Sequence, residues 1–238
     1  MELKMKLKIE TIAFREERFI PKFIQHYQDK VDEIVVLNTT VPWLGEPDGE
    51  PDKTGAIARS LGATVIEYPW PTESAQRNAG LDYCADCDWV IILDPDEYIS
   101  NSDWYNLLVY LDYAEAPALV VKHQRVFWKN MEVYPHKDYQ QIIVVKPTVR
   151  FVDKRVVNCG YGEAPVDLLH FSWARTDEEV LRKITHYAHA AELNKDWYEK
   201  VWLANKKTNL HPLTPETLKG LIPAVLPLEI ANLDLWPQ

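Results

Sequence analysis

Asp94-Pro95-Asp96-Glu97 places three carboxylates within four positions, directly after the apolar run at residues 89–93. Carboxylates at i and i+2 after a buried strand can point into one cleft and share a hard divalent cation. Mg²⁺ or Mn²⁺ held by one or two carboxylates keeps coordination sites for phosphate oxygens. Such a cation neutralises a diphosphate as it leaves. A solvated acidic turn has the same composition, since Asp and Pro are common turn formers. The carboxylates alone do not separate these readings; the surrounding elements must.

Those elements alternate. Residues 6–13 read as a strand, 16–27 as a helix with Phe19, Ile20, Phe23, Ile24 and Tyr27 on one face, and 31–37 as a second strand. Pro21 lies in the early turns of that helix, where proline is tolerated best. A short helix at 54–61 ends at Gly62, and a strand follows at 63–68. Thr72 or Ser74 caps a helix reaching about residue 86, which contains Gln76-Arg77-Asn78. Residues 89–93 form the fourth strand. This alternation with short links predicts a parallel, three-layer α/β sheet. Ligands gather at the carboxyl ends of such strands, where residues 14–16, 38–40 and 94–97 all fall.

Beyond residue 100 the character changes. A helix is expected at 102–113, then several β-like runs over 118–153 without helices between them. A strand is expected at 168–171, and helix from the N-cap Thr176 to about 194 and again over 196–207. The proline-rich tail reads as short helical turns. The expected division is a nucleotide-binding half at 1–100, a mixed β acceptor half of the same domain at 101–175, and a C-terminal helical extension at 176–238.

The chain has 238 residues, enough for a sizeable core, and a net charge of −10, which disfavours tight binding to a nucleic-acid backbone. The charge is uneven: residues 1–121 carry −12, residues 122–155 carry +5, and residues 156–238 carry −3. Cys84, Cys87 and Cys159 are an odd set with no second CxxC pair, which favours ordinary reduced thiols over a zinc site or a disulfide framework. No apolar run is long enough to span a membrane, and the N-terminal residues have no signal-peptide core, so a cytoplasmic protein is expected.

Four stretches carry a more specific signal: TIAFREERFIPKFIQHY, VDEIVVLNTT, QRNAGLDYCADCDWVIILDPDEYI and LLHFSWARTDEEVLRKITHY. Together they resemble glycosyltransferase family two, with RN-x-G followed a helix later by DWV-x-x-LD-x-DE as the distinctive pair. The resemblance implies the GT-A fold, a three-layer α/β/α sheet with a mixed β acceptor half and C-terminal helices. It implies a hexosyltransferase-type enzyme that is inverting and metal-dependent. The donor would be a nucleotide-diphospho-sugar, a UDP-sugar by preference. The acceptor hydroxyl would belong to a saccharide or a lipid-linked saccharide.

By the same resemblance, Ala13, Phe14, Glu16, Asn38, Arg77, Asn78 and Asp94 would hold the nucleotide. Arg15 and Asn38 depart from the family's usual Asn and Asp. Asp94, Asp96 and His170 would bind Mn²⁺ or Mg²⁺. Glu163 first, Asp167 second, and Glu97 are the candidates for handling the acceptor's proton. The aromatic and basic residues of 122–155, with Trp128, Tyr134 and Tyr139 among them, leave a hydroxylated nucleic-acid base open as an alternative acceptor. A catalytically degenerate nucleotide-sugar-binding module is the other alternative. An acidic-site phosphatase is disfavoured because Tyr98 stands where its Thr or Val belongs. Trp197, Tyr198 and Trp202 are expected to pack internally, and His186 and His189 have no carboxylate at metal spacing.

Overall fold

A computed structural model describes residues 5–45, 52–134, 141–186, 189–205, 212–213 and 220–237. Strands are β1 (Leu7–Ala13), β2 (Glu33–Thr39), β3 (Thr64–Tyr68), β4 (Trp89–Ile92), β5 (Glu97–Tyr98) and β6 (Ala118–Trp128). They continue with β7 (Met131–Tyr134), β8 (Ile142–Val145), β9 (Phe151–Asp153), β10 (Val156–Val157), β11 (Gly162–Trp173) and β12 (Gly220–Pro223). Helices are α1 (Ile20–Tyr27), α2 (Thr54–Ser60), α3 (Glu73–Tyr83), α4 (Asn101–Leu111), α5 (Asp177–His186) and α6 (Leu228–Ala231).

One mixed sheet runs β12-β7-β6-β8-β4-β1-β2-β3, with β11 parallel to β6 and β5 antiparallel to β11. β4, β1, β2 and β3 are mutually parallel, so their carboxyl ends share one edge. β8 joins β4 antiparallel and carries the sheet across the division expected at residue 100. The late strands differ from expectation in extent. β11 is far longer than residues 168–171, because its register follows β6 from Gly162 onward, with Ala164 and Val166 buried and Glu163 and Pro165 exposed. Residues 220–223 form an edge strand on β7 instead of a helical turn, with Pro223 at its last position, where a missing N–H costs least.

Local sequence explains the main elements. α1 buries Ile20, Phe23, Ile24 and Tyr27 at helical spacing, and Pro21 falls in its first turn. Residues 16–19, expected as helix, precede it as a turn. Thr72 Oγ1 accepts from Ala75 N–H at 3.1 Å and starts α3; Ser100 Oγ accepts from Asp103 N–H at 3.0 Å and starts α4. At α5, Thr176 and Glu179 form a reciprocal capping box, at 3.3 and 2.8 Å. Two continuous cores flank the sheet: Leu7, Ile9, Val36 and Ile91 pack under α1 and α4, while Ile12, Val35, Leu37 and Val90 pack under α3. Trp128, Trp173, Trp197 and Trp202 form a third cluster beneath α5, so Trp197 and Trp202 pack internally as expected. Tyr198–Leu203 is a single π-helical stretch, shorter than the helix expected over 196–207, of which residues 206–207 lie outside the described set. Cys84, Cys87 and Cys159 are free thiols.

Gly80 is the contact that lets α3 lie on the sheet. A Cβ there would meet Glu10 Cγ at 2.5 Å and Leu37 Cδ2 at 3.0 Å. Glu10 is fully buried, so nothing nearby can yield cheaply. Gly80→Ala is therefore expected to destabilise the fold by about 1–3 kcal/mol through overpacking. Urea unfolding of the two proteins measures this; equal midpoints would remove the claim.

Candidate active site

The acidic motif is folded back on itself. Glu97 N–H donates to Asp94 O at 2.9 Å, and Asp94 N–H donates to Glu97 Oε2 at 2.9 Å. β5 then pairs with β11 so that His170 stands opposite Glu97, and Phe171 N–H donates to Asp96 O at 2.8 Å. Tyr27 from α1 locks the same segment, its hydroxyl accepting from Ile99 N–H at 2.8 Å. Two elements distant in sequence, β11 and α1, thus help to fix the geometry of a seven-residue stretch, 93–99.

Protein cations meet these carboxylates. Arg77 Nη2 lies 2.9 Å from Asp94 Oδ1 and 3.0 Å from Glu73 Oε1. Arg155 donates to both Glu97 oxygens at 2.8 and 2.9 Å and lies 3.6 Å from Asp94 Oδ2. Arg175 Nη2 reaches Asp96 Oδ2 at 2.7 Å and Glu16 Oε1 at 3.0 Å. Lys183 lies 3.3 Å from the same Asp96 oxygen, and His170 Nε2 lies 3.5 Å from Asp96 Oδ1. Burial disfavours charge on Asp96, but Lys183, His170 and Arg175 outweigh it and hold the carboxyl well below the usual range. Burial likewise opposes charge on Asp94, and Arg77 and Arg155 bring its pKa down. On Glu97 and Glu16 burial dominates and raises the pKa against Arg155 and Arg175 respectively.

Exposure separates structural cations from those that can meet a ligand. The side chains of Arg77 and Arg175 are 0% and 5% exposed, while Arg155, His170 and Lys183 keep 12%, 18% and 20%. Asp94, at 28%, is the most open of the motif's carboxylates.

The structure sorts the residues expected from sequence. Ala13, Phe14, Glu16, Asn38, Arg77, Asp94, Asp96 and His170 lie at the carboxyl edge of the sheet or beside it. Phe14 packs near His186 of α5, with ring centroids 6.1 Å apart. Asn38 Nδ2 donates to Glu67 Oε1 at 3.3 Å, so the carboxylate missing at position 38 appears on the neighbouring strand β3. Asn78 points elsewhere: it exchanges two 2.9 Å hydrogen bonds with the backbone of Phe151 and anchors β9 to α3. Glu97 is fully buried and receives donors from Arg155, Gln141 and the Asp94 N–H. Glu163 and Asp167 precede His170 on β11 by seven and three residues, roughly 23 and 10 Å along an extended strand. Neither joins the cluster, and Asp167 is instead paired with His123 at 3.1 Å. The strand carries them away because its C-terminal end, not its start, meets β5.

The donor types at Asp94, Asp96 and His170 suit a hard cation, but their arrangement does not assemble one site. Asp96 is taken by Arg175 and Lys183, and Asp94 by Arg77. Among the described residues, no group of three His, Cys, Asp or Glu side chains could hold a metal ion.

Sequence reasoning missed Arg155, Arg175, Lys183, Gln124 and Gln141. Arg175 follows the recognised His170-Phe171-Ser172-Trp173 element closely enough to have been found. Gln124 and Gln141 carry no local signal. Beside Arg175, on the side of Lys129 and Trp236, a cavity of about 570 Å³ is lined by Lys129, Asn130, Asp177, Glu178 and Trp236.

The sequence profile of glycosyl transferase family 2 matches residues 11–177, which spans both the parallel strands and the His170 strand. The chain belongs to glycosyl transferase family 2. Its mixed α/β sheet accords with that membership. A TPR repeat-containing protein of Synechococcus elongatus is 30% identical over 137 residues, 57% of this chain and 31% of that protein. An uncharacterized glycosyltransferase of Rickettsia felis is 31% identical over 90 residues, 38% of this chain and 28% of that protein. The match thus spans about a third or less of these relatives. The solved structure of S. aureus TarS aligns with 50% of this chain and 21% of its own, at 21% identity and a TM-score of 0.38. No helix among the described residues is long and apolar enough to cross a membrane.

Glu10, under Gly80, gives this family 2 site a measurable electrostatic signature. Burial raises its pKa to about 8 against the attraction of Arg77 and Arg155, and among the described residues neither carboxyl oxygen has a hydrogen-bond partner. Arg77 Nη1 is 3.9 Å away. A raised carboxyl pKa favours the fold fully below the unfolded value of about 4.5 and loses that contribution as pH rises toward 8. Between about pH 5 and pH 8, wild type is expected to lose a few kcal/mol relative to Glu10→Gln. Urea unfolding of both proteins at the two pH values checks this; a constant difference between them would refute it.

Proposed function

We propose that the chain is a nucleotide-sugar glycosyltransferase that inverts the configuration of the transferred sugar. A nucleotide-diphospho-sugar, by preference a UDP-sugar, lies across the carboxyl ends of β1, β2 and β4. Its diphosphate faces Arg155, His170 and Lys183. An acceptor hydroxyl attacks the anomeric carbon as the bond to the diphosphate breaks, and the hydroxyl's proton leaves to solvent or to the departing diphosphate. The observation that carries this reading is the convergence, on one sheet edge, of the acidic motif with two partly exposed cationic side chains, Arg155 and Lys183, and the His170 imidazole. Those groups take up charge on the departing diphosphate, where preorganised donors are most effective. The reading takes no step through a metal ion.

For the acceptor, a saccharide or lipid-linked saccharide is favoured over a nucleic-acid base. The cavity beside Arg175 combines Trp236 with Asp177, Glu178 and Asn130, an aromatic wall with groups that accept from or donate to hydroxyls. In the basic segment 122–155, Arg125, Arg150 and Lys154 are paired with Glu132, Asp82 and Glu192, which lowers the net positive charge it offers to a phosphate backbone. Tyr139 lies outside the described residues.

A thermal-shift series with UDP-, GDP-, CMP- and dTDP-sugars tests the donor. The UDP-sugars are expected to raise the melting temperature most, since a ligand that binds only the folded form stabilises it. Asp94→Asn is expected to lower sugar transfer or donor hydrolysis about a hundredfold, the equivalent of about 2.7 kcal/mol of barrier. Equal turnover by wild type and variant would refute the site assignment.

A further inference from the structure

Glu97, Gln141, Gln124 and His170 form a continuous chain of side-chain contacts. Gln141 Nε2 lies 2.5 Å from Glu97 Oε1, Gln124 Nε2 lies 2.5 Å from Gln141 Oε1, and Gln124 Nε2 lies 2.9 Å from His170 Nδ1. The direction of every bond follows from the carboxylate end. An ionised carboxylate only accepts, at about four lone-pair positions. Glu97 receives four donors: Arg155 Nη1 at 2.8 Å, Arg155 Nη2 at 2.9 Å, Asp94 N–H at 2.9 Å, and Gln141. The Arg155 and Asp94 donors cannot be reversed, and with Glu97 ionised against Arg155 the one remaining Oε1 position, which faces Gln141, is an acceptor.

Gln141 must therefore turn its NH₂ toward Glu97 and its carbonyl oxygen toward Gln124. Gln124 must answer with its own NH₂, whose second proton points at His170 Nδ1. That nitrogen accepts, so the single proton of the neutral imidazole resides on Nε2. Nε2–H faces Asp96 Oδ1 at 3.5 Å and Glu97 Oε1 at 3.9 Å.

We infer that Glu97, Gln141 and Gln124 are positioning residues that fix His170 as its Nε2–H tautomer, so that it turns a hydrogen-bond donor to the acidic cleft. A cation seeking His170 would need a lone pair on Nε2. Freeing it requires reversing both amides, which would place the Gln141 carbonyl oxygen against the Glu97 carboxylate, two buried acceptors with no proton between them. The consequence for catalysis rests on the transferase reading: a diphosphate entering beside Asp94 meets the Nε2–H donor. The tautomer itself does not depend on that reading.

The test uses the full chain with ¹⁵N-labelled histidine and long-range ¹H–¹⁵N correlation at a pH where the imidazole is neutral. His170 is assigned by the signals lost in His170→Gln. Its Nε2 is expected in the protonated range and its Nδ1 in the unprotonated range, with no change on adding Mg²⁺. In Gln124→Glu a carboxylate faces Nδ1, and the proton is expected to move there, inverting the two shifts. A wild-type Nδ1–H form, or a Mg²⁺-driven switch to it, would overturn the inference without need of any variant. UDP in the presence of EDTA is expected to shift the Nε2–H signal; UDP binding by calorimetry that leaves His170 unmoved overturns the diphosphate contact. Absence of any UDP binding would count against the transferase reading while the tautomer stood on its own signals.

Discussion

Everything at the edge of this sheet depends on charge neutralised without water. Glu10, Glu16, Glu73, Asp94, Asp96 and Glu97 converge toward the ends of β1 and β4, and Glu10, Asp96 and Glu97 are buried. A charged carboxylate without a partner costs several kcal/mol to desolvate there, and Glu10, whose carboxyl has no hydrogen bond among the described residues, is shifted toward its neutral form instead. Arg77, Arg155, Arg175 and Lys183 make the arrangement tolerable, each arriving from a different element. α3 must lie close enough to bring Arg77 in, which is why Gly80 is needed over Glu10. The loop between β9 and β10 must deliver Arg155, and the turn before α5 must deliver Arg175.

That requirement also explains how the two halves of the chain are joined. β8 inserts antiparallel beside β4, and β5 pairs with β11, so the acidic motif is enclosed from both sides. Asn78 carries no ligand in this arrangement but holds β9 to α3, and thereby helps to place the segment that bears Arg155. Removing such a tie would disturb the site without touching it. The exposed members of the network, Asp94, Arg155, His170 and Lys183, are held by a buried set with little freedom to move. A site built this way is preorganised, and its donors need not reorient when charge develops on a leaving group.

The family signature was legible because its chemistry is local. Asp94, Asp96 and Glu97 follow a strand, Arg77 opens a helix, and His170 ends a strand; each type and spacing can be read directly. Helix starts at Thr72 and Thr176 were legible for the same reason, since a cap acts over three residues. The proton-handling role assigned to Glu163 and Asp167 fared differently. Their sequence proximity to His170 does not translate into spatial proximity, because β11 is extended and moves about 3.3 Å per residue away from the cluster.

The sequence by itself determined the parallel strand–helix alternation, the edge where a ligand would gather and the acidic motif that stands there. Hydrophobic periodicity and capping are short-range effects, and they are written in consecutive residues. Only the tertiary structure decided who answers those carboxylates. Arg155, Arg175, Lys183, Gln141 and Gln124 are between 27 and 87 positions from Asp96 or Glu97, and apart from Arg175, close behind the His170 element, no local pattern marks them. Their roles follow from strand order and register, which place a donor at each lone pair once the chain has closed around them.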